Sequence, residues 1–393
     1  MLTKFIFKNY RSFLDEQTLS LEASHDRHLA ENLTDVSTDL LPNNAGILRN
    51  LTIFGGNEAG KTNLIKALEY MKRMVLLSPS LPVAHENVPF ALAEDASMLD
   101  THLEVEMIEN GSFYRYGFVL RNGEVTKEWL FRRAERLTPI FRRENESLKI
   151  TGMSHSEASM LIPSSSVLFA STAENLRLPI TAYIRDLKSF FRKLTFVYEP
   201  KREYLELYLT SEQYITRAVD ILRKADMNFA DMKLIRMGSY IDAELSANVW
   251  SQNGDIVKKR KLRLFQDREF LGKGSQHLIC LLPVLFRALD EGGTVVINDL
   301  GSVLHVTLAS YLQNFFSSTD VNPSGAQMIA TSSMSMLMDQ ELRRDQIYLV
   351  SRDGMGRSSL YRLSDQKNVR KSDVYSRKYL NGDYSMQLPQ KSL

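Results

Sequence analysis

A short apolar run, Leu51 to Phe54, leads without a gap into Gly55-Gly-Asn-Glu-Ala-Gly60-Lys61-Thr62. Thr62 to Met74 then spaces Leu64, Ile65, Leu68 and Met71 along one helical face. A strand, a glycine loop and a helix therefore follow one another, and the loop fits G-x-x-x-x-G-K-[ST]. Phosphate chemistry asks for this order. The glycines let backbone N–H groups point inward around an anion, and the helix N-terminus adds a favourable dipole. Lys61 would reach the β- and γ-phosphates, and Thr62 would hold a magnesium ion. A chance glycine turn with a solvated lysine has no reason to be flanked in this way. The candidate nucleotide-binding residues are Gly55, Gly56, Asn57, Glu58, Ala59, Gly60, Lys61, Thr62 and the neighbouring Asn63, with ATP and Mg2+ as the expected ligands.

Composition sets wider bounds. The 393 residues are 44% hydrophobic and 24% charged, which suits a globular fold with a sizeable core. A net charge of +2 gives no global field, so any basic surface must be local. Cys280 is the only cysteine, which excludes an internal disulfide and a multi-cysteine zinc site. Met1 to Tyr10 lacks the hydrophobic region of a signal peptide, and no apolar stretch approaches the ~20 residues of a membrane span. The expectation is a soluble, cytoplasmic protein without membrane contact.

Periodicity extends the picture along the chain. Leu2 to Phe7 and Gln17 to Glu22 read as strands, and His25 to Asn50 as a polar excursion. Asn110-Gly111, Asn122-Gly123 and Asn253-Gly254 signal hairpins. Ile180 to Tyr208 and Glu212 to Lys224 read as amphipathic helices, interrupted near Pro200, and Leu278 to Leu289 and Leu304 to Phe316 as apolar ones. Thr294 to Ile297, Gln327 to Ala330 and Gln346 to Val350 read as buried strands. The expected fold class is α/β: a P-loop core of mixed sheet with helices from residues 1–145 and 231–393, and a mainly helical insert at 146–230.

The run Phe7-Lys-Asn-Tyr-Arg-Ser-Phe13 resembles the N-F-R-S-F opening of ABC-class ATPases of the RecF, SMC and OLD group. The wider pattern is similar to stand-alone bacterial AAA-type ATPases linked to abortive infection and phage defence, such as RloA and OLD-like proteins. Tyr114 to Phe118, Glu128 to Leu130, Arg343 to Ile347 and Tyr379 to Tyr384 follow in the same order. The resemblance implies an ABC-type core and a head-to-tail dimer or higher oligomer closing on nucleotide. It also implies Arg11 as a nucleotide contact, and a separate effector, since the stretch after Val350 is too short for the nuclease domain of OLD enzymes.

Several family motifs are altered. The signature, close to E-S-x-G-T, is here Leu271-Gly-Lys-Gly-Ser275, keeping Gly274 as the residue that would approach nucleotide in the partner. Where the family has D-E after its Walker B strand, this chain has Asn298-Asp299. Asn298 lacks the charge that orients magnesium, and Asp299 is one methylene shorter than the water-activating glutamate. Thr62, Asn298 and Asp299 are the candidate metal-site residues, and Asp299 the candidate catalytic one. Ser332 stands in for the family's terminal histidine, and His305 matches a histidine expected to pack or start a helix. No glutamine lies between Gln17 and Gln213 to serve a Q-loop. Hydrolysis should be slow or absent.

Arg132, Arg133, Arg136, Arg142 and Arg143 form a basic cluster, which Lys258 to Lys261 and Arg263 could join. Such a patch suits a phosphate backbone, an acidic partner or a solvated strand face. His25-Asp-Arg-His28 is best read as a solvated loop. The sequence is thus compatible with an ATP-binding regulator of a separate nuclease or toxin, with a DNA-clamping repair ATPase, or with the degenerate half of a heteromeric ATPase.

Overall fold

The computed structural model describes residues 1–26, 28–34, 40–41, 46–95, 98–225, 227–367 and 369–384. Arg27 and parts of the His25–Asn50 excursion lie outside them. In chain order come β1 Leu2–Lys8, β2 Gln17–Ser20, β3 Leu33–Thr34, β4 Ile47–Leu48, β5 Asn50–Phe54 and α1 Lys61–Leu77. A run of hairpins follows: β6 Thr101–Glu109, β7 Ser112–Arg121, β8 Glu124–Arg133, β9 Leu137–Glu144 and β10 Ser147–Ile150. Next are α2 His155–Ser159, α3 Phe169–Thr172, α4 Thr181–Lys193, β11 Leu194–Val197, α5 Glu212–Lys224, β12 Phe229–Met237, β13 Tyr240–Trp250 and β14 Ile256–Arg263. The chain continues with α6 Lys273–Glu291, β15 Thr294–Ile297, α7 Val306–Ser317, β16 Gln327–Ser332, β17 Ile347–Arg352, β18 Ser358–Arg362 and α8 Tyr375–Asn381.

The P-loop belongs to a six-stranded sheet of order β11-β15-β16-β5-β17-β18. Its first five strands are parallel, and β18 runs antiparallel on β17. Both faces are covered. Leu51, Ile53, Val296 and Ile329 face a core shared with α1, while Val295, Ile297, Met328 and Ala330 face the core of α6 and α7. Burial on both sides explains why these strands read as unbroken apolar runs rather than as alternating ones. β5, β15 and β16 end at the same edge, where open parallel sheets bind ligands.

The second sheet is antiparallel, order β10-β9-β8-β7-β6-β1-β2. Its turns at Asn110-Gly111 and Asn122-Gly123 have positive φ at both positions, as two-residue hairpins require. Phe5 and Phe7 of β1 pack into the core that includes α1. Gln327, at the start of β16, ties the two sheets together. Its side chain accepts the Leu2 N–H at 2.6 Å and donates to the carbonyls of Leu2 and Leu48. The third sheet, β12-β13-β14, rests on the α6 core through Met232, Ala243, Leu245 and Leu262.

Helix α6 carries Pro283 in its interior, which removes the N–H that would bond the carbonyl of Ile279. The Tyr208 hydroxyl donates to that carbonyl at 2.8 Å, so the freed acceptor is satisfied and the helix continues.

The expected helix at Ile180–Tyr208 requires correction. Only Thr181–Lys193 is α-helical. Leu194–Val197 is a strand paired in parallel with β15, and Arg202–Thr210 is a 3-10 helix. Thr195 and Val197 are β-branched, and the open edge of β15 takes the backbone bonds of this segment. The 146–230 stretch therefore does not stand apart as a helical insert: it supplies β10 to one large sheet and β11 to the other. Among the described residues, no helix is long and apolar enough to cross a membrane.

Candidate nucleotide-binding site

The loop between β5 and α1 borders a cavity of about 300 Å³ at the carboxyl edge of the parallel sheet. Gly56, Asn57, Glu58, Ala59, Gly60, Lys61, Thr62 and Asn63 form one side, and Asn298, Asp299, Thr331 and Ser333 the other. β16 lies between β5 and β15, so the ends of three adjacent strands converge on one space.

Two glycines in the loop are sterically required. Gly60 has φ 119°, and a Cβ there would lie 2.5 Å from the Ser358 hydroxyl. A Cβ on Gly55 would lie 2.6 Å from the carbonyl oxygen of Val350 on β17. Gly55 therefore does not line the cavity itself. Its role is to let the loop leave the sheet against β17. Glu58 also adopts positive φ, as the loop turns towards the helix.

Lys61 reaches back across the loop. Its Nζ donates to the carbonyls of Gly55 at 2.6 Å and Gly56 at 3.0 Å. Partial burial lowers its pKa from the ordinary lysine value, and the negative charge of Asp299 partly offsets this. Thr62 donates from its hydroxyl to Oδ1 of Asn298 at 2.9 Å. Thr62, Asn298 and Asp299 thus offer hard oxygen donors on one flank, and magnesium takes such donors together with phosphate oxygens. The donor set fits Mg2+, with Asp299 its only carboxylate.

Asp299 sits in a left-handed conformation at φ 58°, two residues past the end of β15. Its N–H donates to the Thr331 hydroxyl at 2.8 Å, and the next N–H, of Leu300, to the Thr331 carbonyl at 2.7 Å. The end of β16 therefore fixes the turn that presents Asp299. His277 on α6 feels the charges of Asp299 and Glu199, though burial is the larger influence and lowers its pKa.

The remaining candidates fall in different places. Arg11 does not line the cavity: its N–H bonds the carbonyl of Val88, and its guanidinium lies 5.6 Å from the Tyr10 ring centroid. Its neighbour Ser12 is the residue that touches the loop, its hydroxyl accepting from Asn63 Nδ2 at 2.9 Å and donating to Ser358 Oγ at 2.8 Å. Gly274 lies at the start of α6, beside Val303, Leu304 and His305 in a separate cavity of about 510 Å³. Ser332 is fully buried and accepts the Met334 N–H, so it does not occupy the position expected of it. Its neighbour Ser333 is exposed and lines the cavity. His305 caps α7 through Thr307.

Sequence reasoning missed Ser358, Thr331 and Ser333. Thr331 and Ser333 follow directly from the end of β16. Ser358 carried no local signal: only the pairing of β18 with β17 brings it to the P-loop, where its hydroxyl donates to the Ala59 carbonyl at 2.7 Å. The arginines expected to cluster are divided. Arg143 is buried and donates to the carbonyls of Val167 and Ser164, Arg132 lies over Tyr183, and Arg142 over Phe131. Successive residues of a strand face opposite sides, which splits the run.

A family model described as "AAA domain, putative AbiEii toxin, Type IV TA system" matches residues 51–332. The match begins in β5 and ends on Ser332, enclosing the P-loop, Asn298 and Asp299. No curated protein matches the chain.

Proposed function

The chain belongs to this AAA-domain family, and from that membership we propose that it is an ATP-binding regulator, related to abortive-infection and OLD- or RloA-like ATPases, that controls a separate effector. The observation that carries the reading is the pairing of an intact P-loop with a neutral Walker B partner. Thr62 is bonded to an amide, Asn298, where a carboxylate would bind magnesium more strongly. A protein so built holds nucleotide longer than it consumes it.

In this reading the N–H groups of Gly56 to Thr62 and the ammonium of Lys61 hold the phosphates. Thr62, Asn298 and Asp299 would hold Mg2+, which supplies charge neutralisation at the phosphates when bound. Asp299, fixed by Thr331, would orient water, with the reach of an aspartate rather than a glutamate. Gly274 is outside the P-loop cavity of its own chain, so its contact with nucleotide needs a second copy, and ATP would favour self-association.

The test is purification of the full chain and its Lys61→Ala variant from the native host with ATP present, followed by mass spectrometry. A nuclease or toxin recovered with the wild type and lost from the variant supports the reading. Recovery of the same partners by both proteins contradicts nucleotide control.

A further inference from the structure

The edge strand β14 concentrates charge in a chain that is almost neutral. Lys258, Lys259, Arg260, Lys261 and Arg263 fall within eight residues containing no acid, and the first six residues of the strand are all exposed. At about 3.3 Å per residue those six extend roughly 20 Å along the strand. The hairpin's own acids neutralise them only in part. Asp242 is fully buried, Glu244 pairs with Lys261 and Arg263, and Asp255 lies at the turn. Among the described residues Lys258 and Lys259 have no ion-pair partner.

Two exposed aromatics flank this stretch. Trp250 is 53% exposed and lies opposite Ile256, while Phe270 is 54% exposed and carries the Arg260 guanidinium 4.1 Å from its ring centroid. Alternation along β14 sets Lys258 and Arg260, with Phe270, on one face and Lys259 on the other, so a ligand laid along this open edge strand meets both rows. A solvated charged edge, serving only to prevent strand pairing, needs lysines but no exposed tryptophan and phenylalanine. Unpaired cations between stackable rings are what a single-stranded nucleic acid uses, phosphates on the cations and bases on the rings.

We infer that the β13–β14 hairpin is a binding surface for single-stranded nucleic acid, with Lys258 and Lys259 on the backbone and Trp250 and Phe270 stacking bases. None of its residues lines the P-loop cavity, so it stands independently of the nucleotide reading and would give a regulator a nucleic-acid input. The divided arginines of β8 and β9 have no part in it.

The test is fluorescence anisotropy of the full chain with a labelled oligo(dT) from 50 to 200 mM salt, beside a polyglutamate of equal length. The expected result is salt-sensitive binding of oligo(dT) that weakens at least tenfold in a Lys258→Glu, Lys259→Glu double variant. The log–log salt slope should become shallower by about 1.4, since each single-strand phosphate contact contributes about 0.7. Trp250→Ala should weaken binding about fivefold or more, in line with the ~1–3 kcal/mol of one stacked base, while leaving the slope unchanged. Arg142→Ala should bind as the wild type does, and unchanged thermal melting would show all variants folded. Absence of binding at 50 mM salt overturns the inference, as does binding indifferent to the hairpin variants. Tighter binding of polyglutamate than of oligo(dT) also overturns it, and marks the hairpin as a site for an acidic protein.

Discussion

The Thr62 hydroxyl donates to Oδ1 of Asn298 at 2.9 Å, joining the start of the P-loop helix to the end of β15 by a bond with no charge on either side. An aspartate could accept the same bond and add a negative charge beside the metal. Asn298→Asp should therefore lower the Mg2+ concentration needed for half-maximal ATP binding by roughly tenfold, the difference between a neutral and a charge-assisted interaction. Calorimetric titrations at graded Mg2+ would measure it, and an unchanged requirement would remove Asn298 from the metal site. The wild type should hydrolyse ATP below ~0.1 s⁻¹, against a common enzyme value of ~10 s⁻¹.

Ser332 and Ser333 differ in a way that two variants can separate. Ser332 is enclosed at the end of β16, so Ser332→His should destabilise the protein by about 1–3 kcal/mol through overpacking. Ser333 lines the cavity and is exposed, so Ser333→His should fold normally and place an imidazole beside the nucleotide. Urea denaturation tests the contrast. Equal stability of the two variants would contradict the placement of these serines.

Gly60→Ala should abolish ATP binding and cost about 1–3 kcal/mol, because its left-handed backbone disfavours a side chain and the new Cβ would meet Ser358. Gly56→Ala should fold normally and retain binding, since nothing lies within 4 Å of the Cβ it would add. Differential scanning calorimetry with and without ATP distinguishes them. Similar losses in both variants would mean that the loop is shaped by something other than the Ser358 contact.

These sites were legible in the sequence to different depths. The β5–loop–α1 unit could be read directly, because its apolar run, glycines and helical spacing are local properties of Leu51 to Met74. Thr294–Ile297 was equally plain, its apolar run set by burial on both faces. Leu194–Val197 was not, since an amphipathic helix leads into it and only the free edge of β15 makes it a strand. Ser358 was invisible for a similar reason, its contact arising from strands that lie far along the chain from the P-loop. The Arg132–Arg143 cluster misled, because adjacency in sequence places alternate strand residues on opposite faces.

Asp345 provides a test of the fold at low pH. It is fully buried with Arg343, whose guanidinium donates to it at 2.8 Å, and it accepts both the N–H and hydroxyl of Ser24 at 2.7 Å. Burial alone would raise its pKa, but the bonds from Arg343 and Ser24 hold it below the usual aspartate value. A depressed folded pKa gives stability that is complete above the unfolded value, ~3.9, and is lost as pH falls through the folded one. Asp345→Asn should cost about 3–5 kcal/mol at pH 7 by leaving Arg343 buried without its partner. The difference from wild type should narrow as pH falls below ~4. Urea titrations at pH 7 and pH 3 would show this, and a constant difference would rule out the ion pair as its source.

Isothermal titration calorimetry of wild type and Lys61→Ala with Mg-ATP tests the central claim most directly. Lys61 spans the loop, and its ammonium is the only side-chain cation among the residues lining the cavity. The wild type should bind ATP in the micromolar to millimolar range, and a hundredfold excess over Kd should add about 2.7 kcal/mol of stability. Lys61→Ala should show neither heat of binding nor a raised Tm. Wild-type protein that releases no heat at millimolar Mg-ATP, or a variant that binds with unchanged affinity, would contradict a nucleotide site at the P-loop.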